Sequence, residues 1–280
     1  MKIRMIVYYI LICIAIACGQ TSVSSRTKSI IINPDGKDIF SRFNVPEGYK
    51  RIIADSGSFS FFLQHFPLKE HGAKVYYYNG EEKSNAGVYE AVLDIDVGEQ
   101  DLQQCADAVM RLRAEYLYSL RQYDKIHFNF TNGFNAEYTR WAEGERIKVN
   151  GNKVSWYSST TKDYSANTFS KYLEKVFMFA GTLSLSKELK TVSIDDIQIG
   201  DVFIHGGSPG HAIIVMDMAI NSNGKKIFMV AQSYMPAQSI HVLKNFNNST
   251  LSPWYDLSAM DEMKTPEWTF EKTELKRFEE

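Results

Sequence analysis

The stretch GSPGHAIIVMDMA, residues 207–219, joins a glycine-rich turn to a run of residues that favour a β-strand. The apolar side chains between Ala212 and Ala219 predict a buried strand, since β-branched and long apolar residues fit the pleated surface of a sheet. One histidine, His211, stands at the predicted start of this strand. A lone histidine in such a place is usually structural, so its role depends on the residues that the fold brings to it.

The last third of the chain repeats this pattern. Turns rich in Gly, Asn and Pro separate four β-rich runs, and short connections of this kind predict an antiparallel sheet. The four runs are Ile199 to His205, His211 to Ala219, Lys226 to Gln232 and Ser239 to Leu243.

The preceding part of the chain mixes helices with short strands. The runs 74–78 and 88–95 predict a hairpin, and the segments 126–133 and 153–159 predict two further strands. Ser56 or Ser58 is the expected cap of a short helix within residues 56–66. A longer helical pattern over residues 168–189 is expected to be interrupted near Gly181.

Residues 101–121, DLQQCADAVMRLRAEYLYSLR, predict an amphipathic helix that carries Cys105. The apolar residues recur at intervals of three and four, which is the spacing of one helix face. Asp101 is the expected N-cap. The apolar positions are 102, 105, 106, 109, 112, 116, 117 and 120.

The chain has 280 residues, of which 44% are hydrophobic and 23% charged, and its formal net charge is −2. It is long enough to bury a sizeable core. We expect no nucleic-acid partner, because the chain lacks a basic footprint. No internal repeat, low-complexity tract or linker interrupts residues 40–280, which predicts a single α+β domain there.

The first twenty residues, MKIRMIVYYILICIAIACGQ, contain a basic start, an apolar run and then small residues. This order predicts a secretory signal peptide over residues 1–18. The run AIACG, residues 15–19, resembles a bacterial lipobox, in which Cys18 would be lipidated; ordinary signal cleavage nearby is the alternative. Residues 19–39 would form a flexible tether. We therefore expect an exported protein of the cell envelope, lipid-anchored in the periplasm or the outer membrane.

Cys105 would be the one cysteine of the folded body, because Cys13 and Cys18 belong to the signal region. An unpaired cysteine is unusual in an exported protein. At the start of a helix, the free N–H groups and the positive end of the helix dipole lower the pKa of a thiol, so we expect a thiolate. A buried structural cysteine is the alternative.

His211 and Gln232 are the expected partners of Cys105. A cysteine nucleophile commonly uses a histidine as general base, and a polar residue on the next strand can orient the imidazole. Gln103 and Gln104 are candidates for stabilising an oxyanion. Each histidine or glutamine, taken singly, is more often a satisfied structural residue, but together with Cys105 they predict a catalytic triad.

The order of a helix-borne cysteine, IGDVFI, the GHAIIVMD strand and a polar residue one strand on resembles papain-like cysteine hydrolases of the NlpC and CHAP cell-wall type. This resemblance covers roughly residues 99–245. It implies a papain-like fold, with the cysteine helix packed on a C-terminal antiparallel sheet. By position, it implies Cys105 as nucleophile, His211 as general base and Gln232 as orienting residue. Those families usually have an aspartate directly before the cysteine, where this chain has Gln104.

A second resemblance extends over nearly the full length. Stretches such as QQCADAVMRLRAEYLY, HFNFTNGF and VAQSYMPAQSIHVLKN are similar to a family of uncharacterised exported Bacteroidetes proteins, classed as a domain of unknown function. This resemblance implies relatives and no particular reaction.

Arg140 and Trp141 are further candidates for substrate binding, through a substrate carboxylate and a sugar or peptide face respectively. A solvated arginine and a packed tryptophan are the alternatives. The histidine pairs at 65/71 and 205/211 lack the carboxylate or thiol ligands that would complete a metal site, so we expect no metal. No P-loop, dinucleotide fingerprint or GxSxG motif is present, and we expect no cofactor.

These features predict a secreted papain-like thiol hydrolase that acts on an amide or ester bond. An envelope location makes a peptidoglycan stem peptide, or another peptide, the expected substrate. The alternative is a non-catalytic envelope lipoprotein that binds a glycan, peptide or lipid with the same fold; the departure at Gln104 keeps this alternative open.

Overall fold

The structure is a computed structural model that describes residues 31–258 and 261–279. The predicted signal peptide, with the lipidation candidate Cys18, and residues 19–30 of the predicted tether lie outside the described residues. Among the helices that are described, none combines the length and the apolar character needed to cross a bilayer.

The described residues form a mixed α+β structure with a large antiparallel sheet. Its helices are α1 (Ile39–Arg42), α2 (Phe59–Gln64), α3 (Cys105–Ser119), α4 (Tyr138–Ala142), α5 (Ala166–Phe177) and α6 (Thr182–Glu188). Its strands are β1 (Tyr49–Arg51), β2 (Tyr89–Val92), β3 (His127–Asn129), β4 (Asn135–Glu137), β5 (Glu145–Asn150), β6 (Lys153–Ser158), β7 (Lys190–Thr191), β8 (Val202–His205), β9 (His211–Asn221), β10 (Lys226–Gln232), β11 (His241–Leu243), β12 (Glu262–Lys264), β13 (Thr269–Glu271) and β14 (Leu275–Arg277).

The large sheet has eight strands in the order β2-β11-β10-β9-β8-β14-β7, and β1 also pairs with β9. Strand β9 is the longest, and its partners are β8 along its first residues, β1 along its last residues and β10 on the other side. The residues 211–219 of β9 are all buried. Helix α3 packs on β9 and β10, so one end of these strands meets the start of α3.

The predicted antiparallel sheet is confirmed, and its four predicted strands correspond to β8, β9, β10 and β11. The predicted hairpin of residues 74–78 with 88–95 is wrong, because β2 pairs with β11 instead. An isolated two-stranded hairpin is marginal in water, whereas the edge of a large sheet buries the apolar side chains of β2. Strand β1 also belongs to this sheet. Because β1 precedes α2 in the chain, the strands of the sheet do not all come after the helices.

The helix that carries Cys105 begins four residues later than predicted. Its N-cap is Gln104, whose backbone N–H donates to Asp107 Oδ2 over 3.1 Å. Asp101 Oδ1 instead accepts hydrogen bonds from the backbone N–H of Ala237, at 2.6 Å, and from the Gln104 side chain. Asp101 therefore ties the segment before α3 to the segment after β10, a contact that local spacing does not encode.

Two other helix predictions are confirmed. Ser58 caps α2, since its hydroxyl accepts the backbone N–H of Phe61 over 3.1 Å. The long helical pattern divides into α5 and α6, and Gly181 is the N-cap of α6. This division places the start of α6 beside the turn that precedes β9, where Thr182 Oγ1 donates to the carbonyl of Gly207 over 3.0 Å.

Candidate functional site

Cys105 lies where the start of α3 meets the start of β9. It is a free cysteine, with 7% of its surface exposed. The backbone N–H groups of Ala106, Ala212 and Cys105 itself point to its sulfur and favour the thiolate. Because Ala212 follows His211 in β9, the start of the strand that carries the histidine candidate adjoins the nucleophile candidate.

His211 and Gln232 form a direct hydrogen bond between neighbouring strands. The distance from His211 Nε2 to Gln232 Oε1 is 2.7 Å, and both side chains are buried. An amide oxygen accepts, so the imidazole donates its Nε2–H, and Nδ1 is left as the unprotonated nitrogen. The structure thus pairs His211 with Gln232, and the backbone of Ala212, the next residue in β9, faces the Cys105 sulfur.

A buried ion pair continues this hydrogen-bond chain. The Gln232 side chain donates its Nε2–H to Glu267 Oε2 over 2.7 Å. Glu267 Oε1 lies 2.8 Å from Lys83 Nζ, and Lys83 also donates to Gln238 Oε1 over 2.9 Å. The orienting residue Gln232 is therefore held on both sides.

Aromatic rings enclose the imidazole of His211. The ring centroids of Tyr234, Trp268 and Phe270 lie 4.8, 5.4 and 5.8 Å from it. Only 1% of the surface of His211 is exposed. This enclosure shields the imidazole from bulk solvent and restricts the orientation of its ring.

A pocket of about 490 Å³ opens beside Cys105. Its lining includes Cys105, Gln104 and the turn 207–210, and its rim carries the exposed apolar side chains of Met178, Leu183 and Met235. A volume of this size accommodates a drug-sized molecule or a short peptide segment. A substrate bound in this pocket would reach the sulfur of Cys105.

Gly210 permits the tight packing of the turn before His211. A β-carbon at this position would lie 2.5 Å from the carbonyl oxygen of Gly207 and 2.8 Å from that of His205. Real side chains do not come so close, so no larger residue fits without moving the turn.

The ionisation state of Cys105 differs from the thiolate expected from the sequence. Burial, followed by the nearby Asp107, raises the pKa of the Cys105 thiol to about 11, despite the opposing effect of the backbone N–H groups. Burial lowers the pKa of His211 to about 4. The expected low thiol pKa is therefore wrong: desolvation outweighs the start of the helix, and both groups are neutral at pH 7.

At pH 7, we expect iodoacetamide to label Cys105 about 100-fold more slowly than an ordinary cysteine, because a pKa raised from 9.0 to about 11 lowers the thiolate fraction by that factor. The rate should rise roughly tenfold per pH unit up to about pH 10. Mass spectrometry of the Cys105 peptide, with urea-unfolded protein as control, measures this profile. A plateau at or below pH 8 would contradict it.

The two oxyanion candidates have different environments. Gln104 lines the pocket, and its side chain donates to Asp101 Oδ1 over 3.0 Å. Gln103 is buried away from the pocket lining; its Oε1 accepts from Arg111 Nη1 over 2.8 Å. The carbonyl of Gln103 accepts the hydroxyl of Ser233 over 2.9 Å, which fastens the start of α3 to the end of β10.

Arg140 and Trp141 do not line the pocket beside Cys105. Arg140 makes a bidentate contact with Glu145, at 2.6 and 2.9 Å. Trp141 is buried in the core and donates its Nε1–H to the carbonyl of Thr168 over 3.1 Å. Both side chains thus have partners outside this pocket: Trp141 is packed in the core, and Arg140 is paired with Glu145 instead of being simply solvated.

Sequence reasoning missed Lys83, Glu267 and Asp107. Lys83 and Glu267 lie far from Gln232 in the chain, and no local pattern links them. Asp107 is buried two residues after Cys105 and also lines the pocket; burial raises its pKa well above the usual value, and its Oδ1 has no hydrogen-bond partner among the described residues. Its position in the first turn of α3 was the feature of the sequence that could have identified Asp107.

In the described part of the chain, no group of three or more His, Cys, Asp and Glu side chains is arranged to hold a metal ion.

The fold and the site define an α+β protein with a buried cysteine at the start of a helix and a buried, hydrogen-bonded His and Gln pair on the adjoining antiparallel sheet. The chain belongs to the family described as Domain of unknown function (4846), whose model matches residues 39–277. No curated protein and no solved structure matches the chain.

Proposed function

We propose that this protein is an exported, papain-like thiol hydrolase that cleaves an amide or ester bond. The observation that carries the proposal is the hydrogen bond of 2.7 Å between His211 Nε2 and Gln232 Oε1, at a histidine whose neighbour Ala212 contacts the Cys105 sulfur. This arrangement supplies a nucleophile, a base with a defined tautomer and an orienting group. The pocket beside Cys105 supplies room for the acyl part of a substrate.

In the proposed reaction, the Cys105 sulfur attacks the substrate carbonyl carbon while His211 Nδ1 takes the thiol proton. The carbonyl π electrons move to the oxygen, and backbone N–H groups at the start of α3 are suited to stabilise this oxyanion. The intermediate collapses to a thioester, and the leaving amine takes the proton from His211. Water then attacks the thioester with His211 again as base, which releases the acid and restores the thiol.

The neutral resting state defines the timing of the first proton transfer. With the pKa of Cys105 at about 11 and that of His211 at about 4, a thiolate and imidazolium pair is not the resting form at pH 7. Proton transfer to His211 therefore accompanies the attack of sulfur, as with a serine nucleophile.

The proposed compartment and substrate rest on the sequence before residue 31. The predicted signal peptide and the predicted lipidation of Cys18 lie there, and the resemblance of later stretches to exported Bacteroidetes proteins also favours the cell envelope of such a bacterium. Peptidoglycan stem peptides are the peptide substrate of that compartment, and they are the class that we propose, by analogy of compartment and fold.

Digestion of purified peptidoglycan tests this function. We expect the wild-type protein to release new amine and carboxyl ends, measured by chromatography and mass spectrometry of the soluble fragments, and the Cys105→Ser variant to release none above background. An unrelated peptide library and ester substrates serve as further arms. If no amide or ester in any arm is cleaved faster than with Cys105→Ser, the hydrolase proposal is wrong.

A second candidate is a non-catalytic protein that binds a glycan, peptide or lipid in the same pocket. The observation that favours it is the burial of His211, together with the neutral state of both groups. It predicts that wild-type protein and Cys105→Ser bind peptidoglycan fragments equally well, and that neither cleaves them.

A further inference from the structure

Gln232 can orient His211 correctly only if its own amide points in one direction. An amide has an oxygen that accepts and a nitrogen that donates, and a half-turn of the side chain exchanges them. With the oxygen toward His211, the imidazole carries its proton on Nε2 and keeps Nδ1 as a base. With the nitrogen toward His211, Nε2 would have to accept, and Nδ1 would carry the proton and lose its basic lone pair.

Two acceptors on the far side of the amide select the first orientation. Glu267 Oε2 lies 2.7 Å from Gln232 Nε2, and a carboxylate can only accept. His241 Nε2 lies 3.5 Å from the same nitrogen. Burial lowers the pKa of His241 to about 3, and its Nδ1 lies 2.8 Å from the carbonyl of Ser239, so Nδ1 carries the proton and Nε2 faces Gln232 as a lone pair.

Lys83 holds Glu267 in place beside Gln232. Its ammonium lies 2.8 Å from Glu267 Oε1, and its side chain is buried. A buried carboxylate is costly without a paired cation, and this pair satisfies the charge beside the triad. Gln238 Oε1 accepts a second hydrogen of Lys83 over 2.9 Å, which holds the ammonium in place.

We propose that Glu267, paired with Lys83, is a positioning residue that sets the amide orientation of Gln232 and, through it, the tautomer of His211. The importance of this tautomer for catalysis rests on the proposed hydrolase function, whereas the tautomer itself does not. Glu267 acts through Gln232 and does not touch the reacting atoms.

The tautomer can be read directly from the ¹⁵N chemical shifts of the His211 ring, assigned by comparison with His211→Ala. We expect the wild-type protein to carry the proton on Nε2. In Glu267→Gln, which is close in shape and has no charge, we expect a mixture of both tautomers, because the amide of Gln232 loses its charged acceptor. The matched control is Glu262→Gln on β12, whose side chain is 52% exposed and lies 3.5 Å from Lys264.

The rate of hydrolysis is the second readout. Loss of a charge-assisted hydrogen bond changes the ratio of the two amide orientations about ten- to hundredfold. We expect kcat for Glu267→Gln to fall in proportion to the fraction of the Nε2–H tautomer measured in its spectrum, with little change in KM and no change for Glu262→Gln. A fall in kcat with a rise in KM, while the Nε2–H tautomer is retained, would indicate a merely structural role and overturn the proposal.

The wild-type spectrum alone is decisive if Glu267→Gln does not fold, because a proton on Nδ1 of His211 would overturn the proposal. An unchanged tautomer in folded Glu267→Gln would also overturn it. If the tautomer shifts as expected but no substrate is cleaved by the wild-type protein, the positioning inference holds and the proposed hydrolase function fails. The two proposals can therefore fail separately.

Discussion

His211→Ala is expected to lower the rate of amide hydrolysis at pH 7 by about 10³- to 10⁴-fold. The reason is the raised pKa of Cys105, about 11, which leaves only about one thiol in 10⁴ ionised at pH 7 without a base. In the wild-type protein, His211 removes this proton during attack, so the small thiolate fraction does not limit the rate. Without His211, attack depends on the rare thiolate.

The pH profile separates this explanation from a general loss of structure. The wild-type rate should be nearly constant from about pH 5 to pH 9, because His211, with a pKa of about 4, is an unprotonated base throughout this range. The residual rate of His211→Ala should rise about tenfold per pH unit toward the pKa of the thiol.

His205→Ala is the matched control for His211→Ala. His205 lies opposite His211 in the register of β8 and β9, but it is half-exposed and pairs with Glu274. We expect its activity to remain within about twofold of the wild type, because its half-exposed side chain does not line the pocket beside Cys105. Equal losses in both variants, measured by initial rates with one peptide substrate, would contradict the assignment of His211 as base.

Arg51→Met is expected to lower the free energy of unfolding by about 3–5 kcal/mol at pH 8, because it removes one partner of a buried ion pair. Arg51 Nε lies 3.0 Å from Asp217 Oδ2, and the two side chains are 9% and 0% exposed. The contact is an ion pair only, since neither atom makes a hydrogen bond within the described residues. Gln64 and the backbone of Met218 hold the other oxygen of Asp217, at 2.6 and 2.8 Å.

The loss of unfolding free energy caused by Arg51→Met should be larger at pH 8 than at pH 5. Burial raises the pKa of Asp217 to about 6, against about 3.9 in an unfolded chain, so the native state holds this proton more tightly. The carboxylate therefore destabilises the fold increasingly as pH rises through this window. Without the opposing charge of Arg51, the pKa of Asp217 would rise further, so the fold would continue to lose stability as the pH rises above 6. At pH 5, where Asp217 is mostly protonated, the substitution should cost less.

Urea unfolding at pH 5 and pH 8 measures this difference, with Lys50→Met as the control. Lys50 is the neighbour of Arg51 in β1, but its side chain is exposed. We expect the control to change stability by less than about 0.5 kcal/mol at either pH. A cost of Arg51→Met that is equal at both pH values would show that lost packing, and not the unpaired carboxylate, causes the destabilisation.

Much of the strand and helix content could be predicted because it depends on neighbouring residues. The apolar run after His211 is confirmed as the buried strand β9, and the division of α5 from α6 follows from Gly181. The partner of β2 could not be predicted, because residues 88–95 pair with β11 across about 150 residues. Local alternation identifies a strand, but the free energy of burial in the whole sheet selects its neighbour.

The residues of the candidate site also include some that the sequence could predict and some that it could not. Cys105, His211 and Gln232 were recognisable as chemical types in order along the chain, and the structure shows the hydrogen bond between His211 and Gln232. The positions of Gln103 and Trp141 could not be foreseen, since each side chain turns to a partner outside the pocket. A residue type indicates what chemistry is available, whereas the direction of a side chain depends on packing.

By itself, the sequence determined that a lone cysteine at the start of a helix, a histidine at the start of a buried strand and a glutamine at the end of the next strand belong to this chain. Only the tertiary structure decided that the thiol is neutral and that Glu267, 35 residues beyond Gln232, selects the orientation of its amide. The physical reason is that desolvation and long-range contacts arise from packing. They can reverse the pKa that the start of a helix alone would produce.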